Sequence, residues 1–176
     1  MRDQPRHARW VRASHGTDAL EAGLDVFIQG LGKLDAQLVY EDNAFLALPV
    51  ESRAEFEESL KLTDRMTLSR LWVLGAYEVI RTVAQRVRDK PGVLSGNLAT
   101  RVKSTKKDFE RLRIPLAKFE PAQAHTETDF ASPRPGLHKD HGISWLVAKG
   151  VFISRRQLSD LLLALLEDID EQQTER

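Results

Sequence analysis

Apolar residues recur at intervals of three or four positions in four stretches of this chain. These stretches cover residues 20–38, 63–89, 98–119 and 158–169. Such spacing places the apolar side chains along one face of an α-helix, so each stretch predicts a helix that packs against its neighbours. Capping-box sequences at residues 52–55 and 154–157 predict the starts of a short acidic helix and of the last helix. Residues 37–48 are also compatible with a short β-hairpin, which leaves the end of the first helix open.

The regular pattern is interrupted between the third and fourth stretches. Residues 120–142 contain three prolines and two glycines without a sustained period, which predicts a long loop. Two apolar runs on either side of Lys149–Gly150 then predict a small β-hairpin over residues 143–153. Pro115 predicts that the preceding helix kinks or ends near Arg113. The sequence therefore predicts a mainly α protein, a helical bundle of four to five helices with a small β-hairpin before the C-terminal helix.

The two ends of the chain lack this periodicity. Residues 1–16 are polar and rich in arginine, which predicts a flexible basic arm with Trp10 as its candidate anchor, and residues 173–176 form a polar tail. Residues 17–172 are predicted to form a single helical domain, because 41% hydrophobic content in 176 residues suffices for one core. The chain has no cysteine, and its apolar runs are shorter than the roughly 20 residues of a membrane span. We therefore expect a cytoplasmic protein without a membrane partner.

Charge is strongly segregated, although the 26 basic and 26 acidic residues cancel in total. Residues 17–60 carry ten acidic and two basic side chains, whereas residues 81–118 carry eleven basic and three acidic ones. Either acidic and basic helices neutralise each other within the bundle, or a basic strip binds an anionic partner such as RNA. Phe109 is the one aromatic residue within the strip, which leaves little for bases to stack on. The candidate binding residues of the strip are Arg101, Lys103, Lys106, Lys107 and Arg111.

The central helix contributes three further candidates. Tyr77, Glu78 and Arg81 fall on adjacent turns, so Glu78 and Arg81 can pair at a spacing of three residues. Buried, these residues would form a polar binding site within the bundle; exposed, they would form an ordinary surface ion pair.

Histidine and acidic residues are concentrated in the 120–142 segment. Imidazole and carboxylate groups are suitable ligands for zinc, manganese or iron, which makes these side chains candidates for a metal site. The alternative is a solvated polar loop, and no cofactor is predicted. The candidate ligands are His125, Asp129, His138 and His141.

Arg134 and His141 form a second candidate pair in the same segment. An imidazole that moves a proton and a guanidinium that counters phosphate charge can cleave RNA without a metal. The helix order, the basic helices and the sequence of residues 71–81, LWVLGAYEVIR, resemble HEPN-type helical proteins, many of which are RNases or companions of nucleotidyltransferases in bacterial defence. That family carries an Arg, four to six residues and a His, and the match to this spacing is Arg134 and His141. The resemblance implies a metal-independent RNase or an RNA-binding relative.

The favoured functional prediction is a non-enzymatic interaction or regulatory module of a bacterial-type cytosolic system, acting as a homodimer or with a protein partner. The candidate interface is either the leucine stripe of the last helix or the apolar seam of the second basic helix. That seam consists of Leu98, Val102, Phe109 and Leu112. The alternative is the RNase or RNA-binding protein described above.

Overall fold

The computed structural model describes residues 2–175, and these residues form six α-helices and one three-stranded antiparallel sheet. The mainly α prediction is confirmed, and the sheet directly precedes the C-terminal helix. The elements in chain order are α1 (Gln4–Ser14), α2 (Leu24–Ala47), α3 (Val50–Arg53), α4 (Phe56–Asp89), α5 (Gly96–Lys118), β1 (Asp129–His138), β2 (Gly142–Ala148), β3 (Val151–Ser154) and α6 (Arg155–Thr174).

The predicted flexible arm is wrong, because most of it forms α1. The Asp3 side chain caps this helix by accepting a hydrogen bond from the Arg6 N–H at 3.0 Å, and a proline in the first turn suits a helix start. Trp10 is completely buried, so α1 is part of the core rather than an appendage. Met1 and Arg176, at the ends of the predicted arm and tail, lie outside the described residues.

Three helix boundaries differ from the sequence prediction. Residues 37–48 form no hairpin, because α2 runs without a break to Ala47. The capping box at residues 52–55 is not formed, since these residues span the end of α3 and the turn into α4. Pro115 lies inside α5, which continues to Lys118 because Leu116 is still packed in the core.

The predicted loop of residues 120–142 contains a strand. The hairpin prediction is confirmed by β2 and β3, and β1 adds a third strand, with Arg134 opposite Leu146 and Gly136 opposite Ser144. Because β1 is an edge strand of the order β1-β2-β3, it tolerates prolines that a central strand would exclude. The sheet register shifts between Asp129 and Arg134, where these prolines begin.

Trp72 of α4 lies at the centre of the core. Its ring meets Trp10 edge-on at 6.2 Å between centroids, and the centroid of the Phe109 ring lies 6.3 Å from that of Trp72. The apolar seam of α5 and the leucine stripe of α6 pack into this same core. Both predicted dimer interfaces are therefore buried within one chain. Among residues 2–175, no helix is long and apolar enough to cross a membrane.

Candidate functional site

An open groove of about 860 Å³ lies between the C-terminal half of α4 and the N-terminal half of α5, and we call it the basic groove. Its floor is aliphatic and is formed by Ala84, Val87, Leu94 and Ala99. Four cationic side chains and no carboxylate line it among the described residues. The cations are Arg81 and Arg88 of α4 and Lys103 and Lys106 of α5.

The helical repeat explains why these cations meet. Arg81 and Arg88 are seven residues apart and therefore share one face of α4, while Lys103 and Lys106 share the facing side of α5. The turn that connects the two helices contains Gly92 with a φ of 87°, a left-handed conformation that suits glycine.

The groove keeps an excess of positive charge after its local ion pairs are counted. Arg81 pairs with Glu78 at 2.7 Å, which confirms their predicted pairing as an exposed ion pair, and Lys106 pairs with Glu110. Lys103 has no ion pair with a described residue. The Arg88 side chain is 75% exposed, and its Nε lies 3.5 Å from Oδ1 of the neighbouring Asp89. Exposed ion pairs such as those of Arg81 and Arg88 are weak, so Arg81, Arg88 and Lys103 remain available to a ligand.

Tyr77 contributes a neutral polar group to the same groove. Its side chain is buried, and its hydroxyl donates a hydrogen bond to Glu110 Oε1 at 3.2 Å. Burial raises the pKa of the Tyr77 hydroxyl, so it remains a neutral donor near pH 7.

The other predicted strip residues lie elsewhere. Arg101 is held by Asp168 of α6, and Arg111 donates two hydrogen bonds, at 2.8 and 3.0 Å, to the carboxylate of Asp129. Lys107 is exposed outside the groove. One face of α5 is therefore neutralised within the chain, as the first alternative predicts, and the other lines the basic groove.

The predicted metal ligands do not form a cluster. Within residues 2–175, no three histidine or acidic side chains lie close enough together to hold a metal ion. Burial opposes ionisation of Asp129, but hydrogen bonds from Arg111 and Thr128 more than offset it and lower its pKa. The Asp129 carboxylate therefore stays ionised and paired with Arg111. His138 and His141 stack on each other with ring centroids 4.7 Å apart, and His125 lies in a short 3-10 turn.

Arg134 and His141 make separate contacts. The Arg134 guanidinium lies over the Phe130 ring at 5.6 Å, towards the start of β1. His141 lies beyond the other end of β1 and stacks on His138. Arg134 and His138 are four residues apart on the strand, which corresponds to about 13 Å at roughly 3.3 Å per residue.

A buried ionic network is not among the features predicted from the sequence. Asp35 is fully buried and accepts hydrogen bonds from Arg6 Nε at 2.5 Å, Trp10 Nε1 at 2.8 Å, Ser159 Oγ at 2.7 Å and the Arg155 guanidinium. Burial opposes ionisation of Asp35, but the arginines and hydrogen bonds outweigh it and lower its pKa. This carboxylate therefore stays charged and joins α1, α2 and α6.

Asp42 forms the second half of this network, which continues from Arg155. Asp42 lies 3.5 Å from Arg155 Nη2 and 3.7 Å from Arg65 Nε, and it accepts the Ile143 N–H at 3.4 Å. Burial raises the pKa of Asp42, and the two arginines offset this only in part. One signal in the sequence could have revealed both aspartates, because they occupy apolar-stripe positions of α2. That stripe is Ile28, Leu31, Asp35, Leu38, Asp42 and Phe45.

The raised pKa of Asp42 predicts a specific pH dependence. The folded state holds this proton more tightly than the unfolded state, so the contribution of Asp42 to stability is most favourable below the unfolded pKa of about 4 and declines as pH rises through the folded pKa. Relative to Asp42→Asn, the wild-type protein should therefore lose free energy of unfolding as pH rises above about 4. Urea denaturation of both proteins over a pH series measures this difference. A relative gain for the wild type with rising pH would contradict it.

Comparison of the chain with protein-family models, curated proteins and solved structures finds no match. The resemblance to HEPN proteins stays a prediction, and the function has to be inferred from the geometry of the described residues.

Proposed function

We propose that this chain is a non-enzymatic protein-interaction module that binds an acidic amphipathic segment of a protein in the basic groove. The observation that carries this proposal is the combination of four cations with an aliphatic floor in one open groove. An amphipathic helix can place its apolar side chains on such a floor and its carboxylates against the flanking cations. Neither feature alone would select a peptide.

The composition of the groove favours a protein segment over RNA. Single-stranded RNA is held by aromatic side chains on which bases stack, together with cations that follow the phosphates. Among the described residues that line the groove, Tyr77 is the one aromatic, and it is 8% exposed. The floor residues offer van der Waals contact to aliphatic side chains instead.

The alternative RNase proposal finds less support in the contacts. Its two residues engage different partners at opposite ends of β1, with Arg134 on Phe130 and His141 on His138. General acid–base catalysis requires both groups to reach the same phosphodiester.

Charge reversal in the groove tests the proposal. In Arg88→Glu combined with Lys103→Glu, we expect the affinity for a labelled amphipathic peptide of glutamate and leucine to fall at least tenfold, because two attractive contacts become repulsive. Fluorescence anisotropy measures the affinity, and a single-stranded RNA of similar length serves as the second probe.

Lys107→Glu is the matched control, since Lys107 is exposed on the same helix but does not line the groove. It should bind the peptide like the wild type. Equal losses in both variants, or tighter binding of the RNA than of the peptide, would overturn the proposed function.

A further inference from the structure

The side of α4 that faces away from the core carries a regular stripe, which we call the outer stripe. Its members alternate in steps of three and four residues, the spacing of a helix that packs along another helix. Two of its leucines are conspicuously exposed, Leu60 at 51% and Leu71 at 55%. The outer stripe consists of Glu57, Leu60, Asp64, Thr67, Leu71, Leu74, Glu78, Arg81, Gln85 and Arg88.

Charge is ordered along this stripe. The N-terminal half carries Glu57 and Asp64, and the middle carries Leu71 and the half-buried Leu74. The C-terminal half carries Arg81 and Arg88 together with Glu78, which pairs with Arg81 in the same chain. A parallel second copy would align acid with acid and base with base. An antiparallel copy aligns opposite charges, so the pattern is complementary to itself in that orientation only.

One antiparallel register places both N-terminal acids of the stripe opposite arginines, while Glu78 faces the uncharged Thr67. With the two-fold axis level with residues 72 and 73, Glu57 faces Arg88, Asp64 faces Arg81, and Leu71 faces Leu74. Two-fold symmetry repeats each pair, because residue i contacts j and j contacts i. The contact extends over about 46 Å, given a rise of roughly 1.5 Å per residue.

We propose that α4 pairs antiparallel with α4 of a second copy, so that the N-terminal half of each α4 lies in the basic groove of the other. This rests on the proposed function and names the acidic segment that the groove binds. Arg81 and Arg88 belong to both the outer stripe and the groove, so a helix lying along the stripe reaches the groove cations. Phe56, 79% exposed at the start of α4, supplies a large apolar side chain for the aliphatic floor.

The oligomeric state of the full chain is the first test. Sedimentation equilibrium at low salt should give a dimer, and its dissociation constant should rise at least tenfold in Leu71→Glu, which sets a carboxylate against the opposite Leu74. Leu161→Glu on α6 is the matched control, because Leu161 is 46% exposed on a helix outside the stripe. It should dimerise like the wild type. A wild-type monomer at micromolar concentration, or equal loss in both variants, overturns the proposal.

Disulfide cross-linking tests the orientation. The chain contains no cysteine, so introduced thiols are the only ones present. An equal mixture of Asp64→Cys and Arg81→Cys chains should give, on mild oxidation, a mixed disulfide between the two variants. Disulfides only between identical variants, or none, would exclude this antiparallel register.

Lys103→Glu separates failure of this inference from failure of the proposed function, because Lys103 lies on the α5 wall outside the outer stripe. A wild-type monomer that binds the peptide better than Lys103→Glu does would leave the groove function intact and refute self-pairing. An antiparallel dimer whose dissociation constant is the same for the wild type and for Lys103→Glu would support helix pairing and refute the groove as its binding site.

Discussion

Replacing Asp35 by asparagine is expected to lower the free energy of unfolding by about 3–5 kcal/mol, the usual range when one partner of a buried ion pair is removed. The Asp35 carboxylate is the common acceptor for Arg6 and Arg155, and both arginines are buried. Asparagine keeps the shape but carries no charge, and its amide group would point donors at guanidinium donors. Two buried cations would then lack their shared counter-ion.

Urea denaturation followed by circular dichroism measures this loss. Asp18→Asn is the control, because Asp18 is exposed, and its free energy of unfolding should stay within about 0.5 kcal/mol of the wild type. Asp42→Asn should cost less than Asp35→Asn, since burial already raises the pKa of Asp42 while the pKa of Asp35 is lowered. Equal effects of the two buried substitutions would show that Asp35 is not the electrostatic centre of the network.

The pH dependence of Asp35 has the opposite sign to that of Asp42. Its folded pKa lies below its unfolded one, so its contribution to stability is present above the unfolded pKa and is lost as pH falls through the folded value. Asp35→Asn should therefore differ most from the wild type near neutral pH and approach it in acid.

The helices with continuous apolar stripes could be predicted because their periodicity is local. The capping box of Ser154 and Gln157 forms as predicted, and Lys149–Gly150 lies in the turn between β2 and β3. Each of these signals depends on residues within a few positions of one another. Local interactions of this kind are visible in the sequence without knowledge of the fold.

The features that the sequence did not predict depend on residues far apart in the chain, or lie in segments whose own composition disfavours the observed structure. Asp35 and Arg155 are 120 residues apart, so an ion pair between them leaves no local pattern beyond a charged residue in an apolar stripe. The prolines of β1 favour a loop by their own preferences, and only pairing with β2 makes that segment an edge strand.

The candidate site could be predicted only in part, because the charge it keeps depends on contacts between distant parts of the chain. The sequence places Lys103 and Lys106 on a basic helix, but it does not show which of its cations face acidic residues of the same chain. In the fold, Arg101 and Arg111 are neutralised by Asp168 and Asp129, and this leaves the opposite side of α5 to line the basic groove.

Replacing Trp10 by alanine is the second substitution expected to have a large effect, about 3–5 kcal/mol of the free energy of unfolding, as for other fully buried tryptophans. The ring is 0% exposed, packs edge-on against Trp72 and donates its Nε1–H to Asp35. The close approach of α1 to α2 depends on Gly32, where a Cβ would lie 2.3 Å from that of Trp10. A large cavity between helices held this closely cannot be filled by small adjustments.

Urea denaturation followed by circular dichroism at a helical wavelength measures this effect, and Phe152→Ala, which shortens an aromatic side chain that is 52% exposed, is the control. Trp10→Phe separates the two contributions: it keeps most of the packing and removes the hydrogen bond to Asp35, so its loss should be intermediate. Because Trp10 and Asp35 are in contact, combining Trp10→Ala with Asp35→Asn should cost less than the sum of the two. A loss below about 1 kcal/mol for Trp10→Ala would mean that residues 1–16 behave as the flexible arm that their composition suggests.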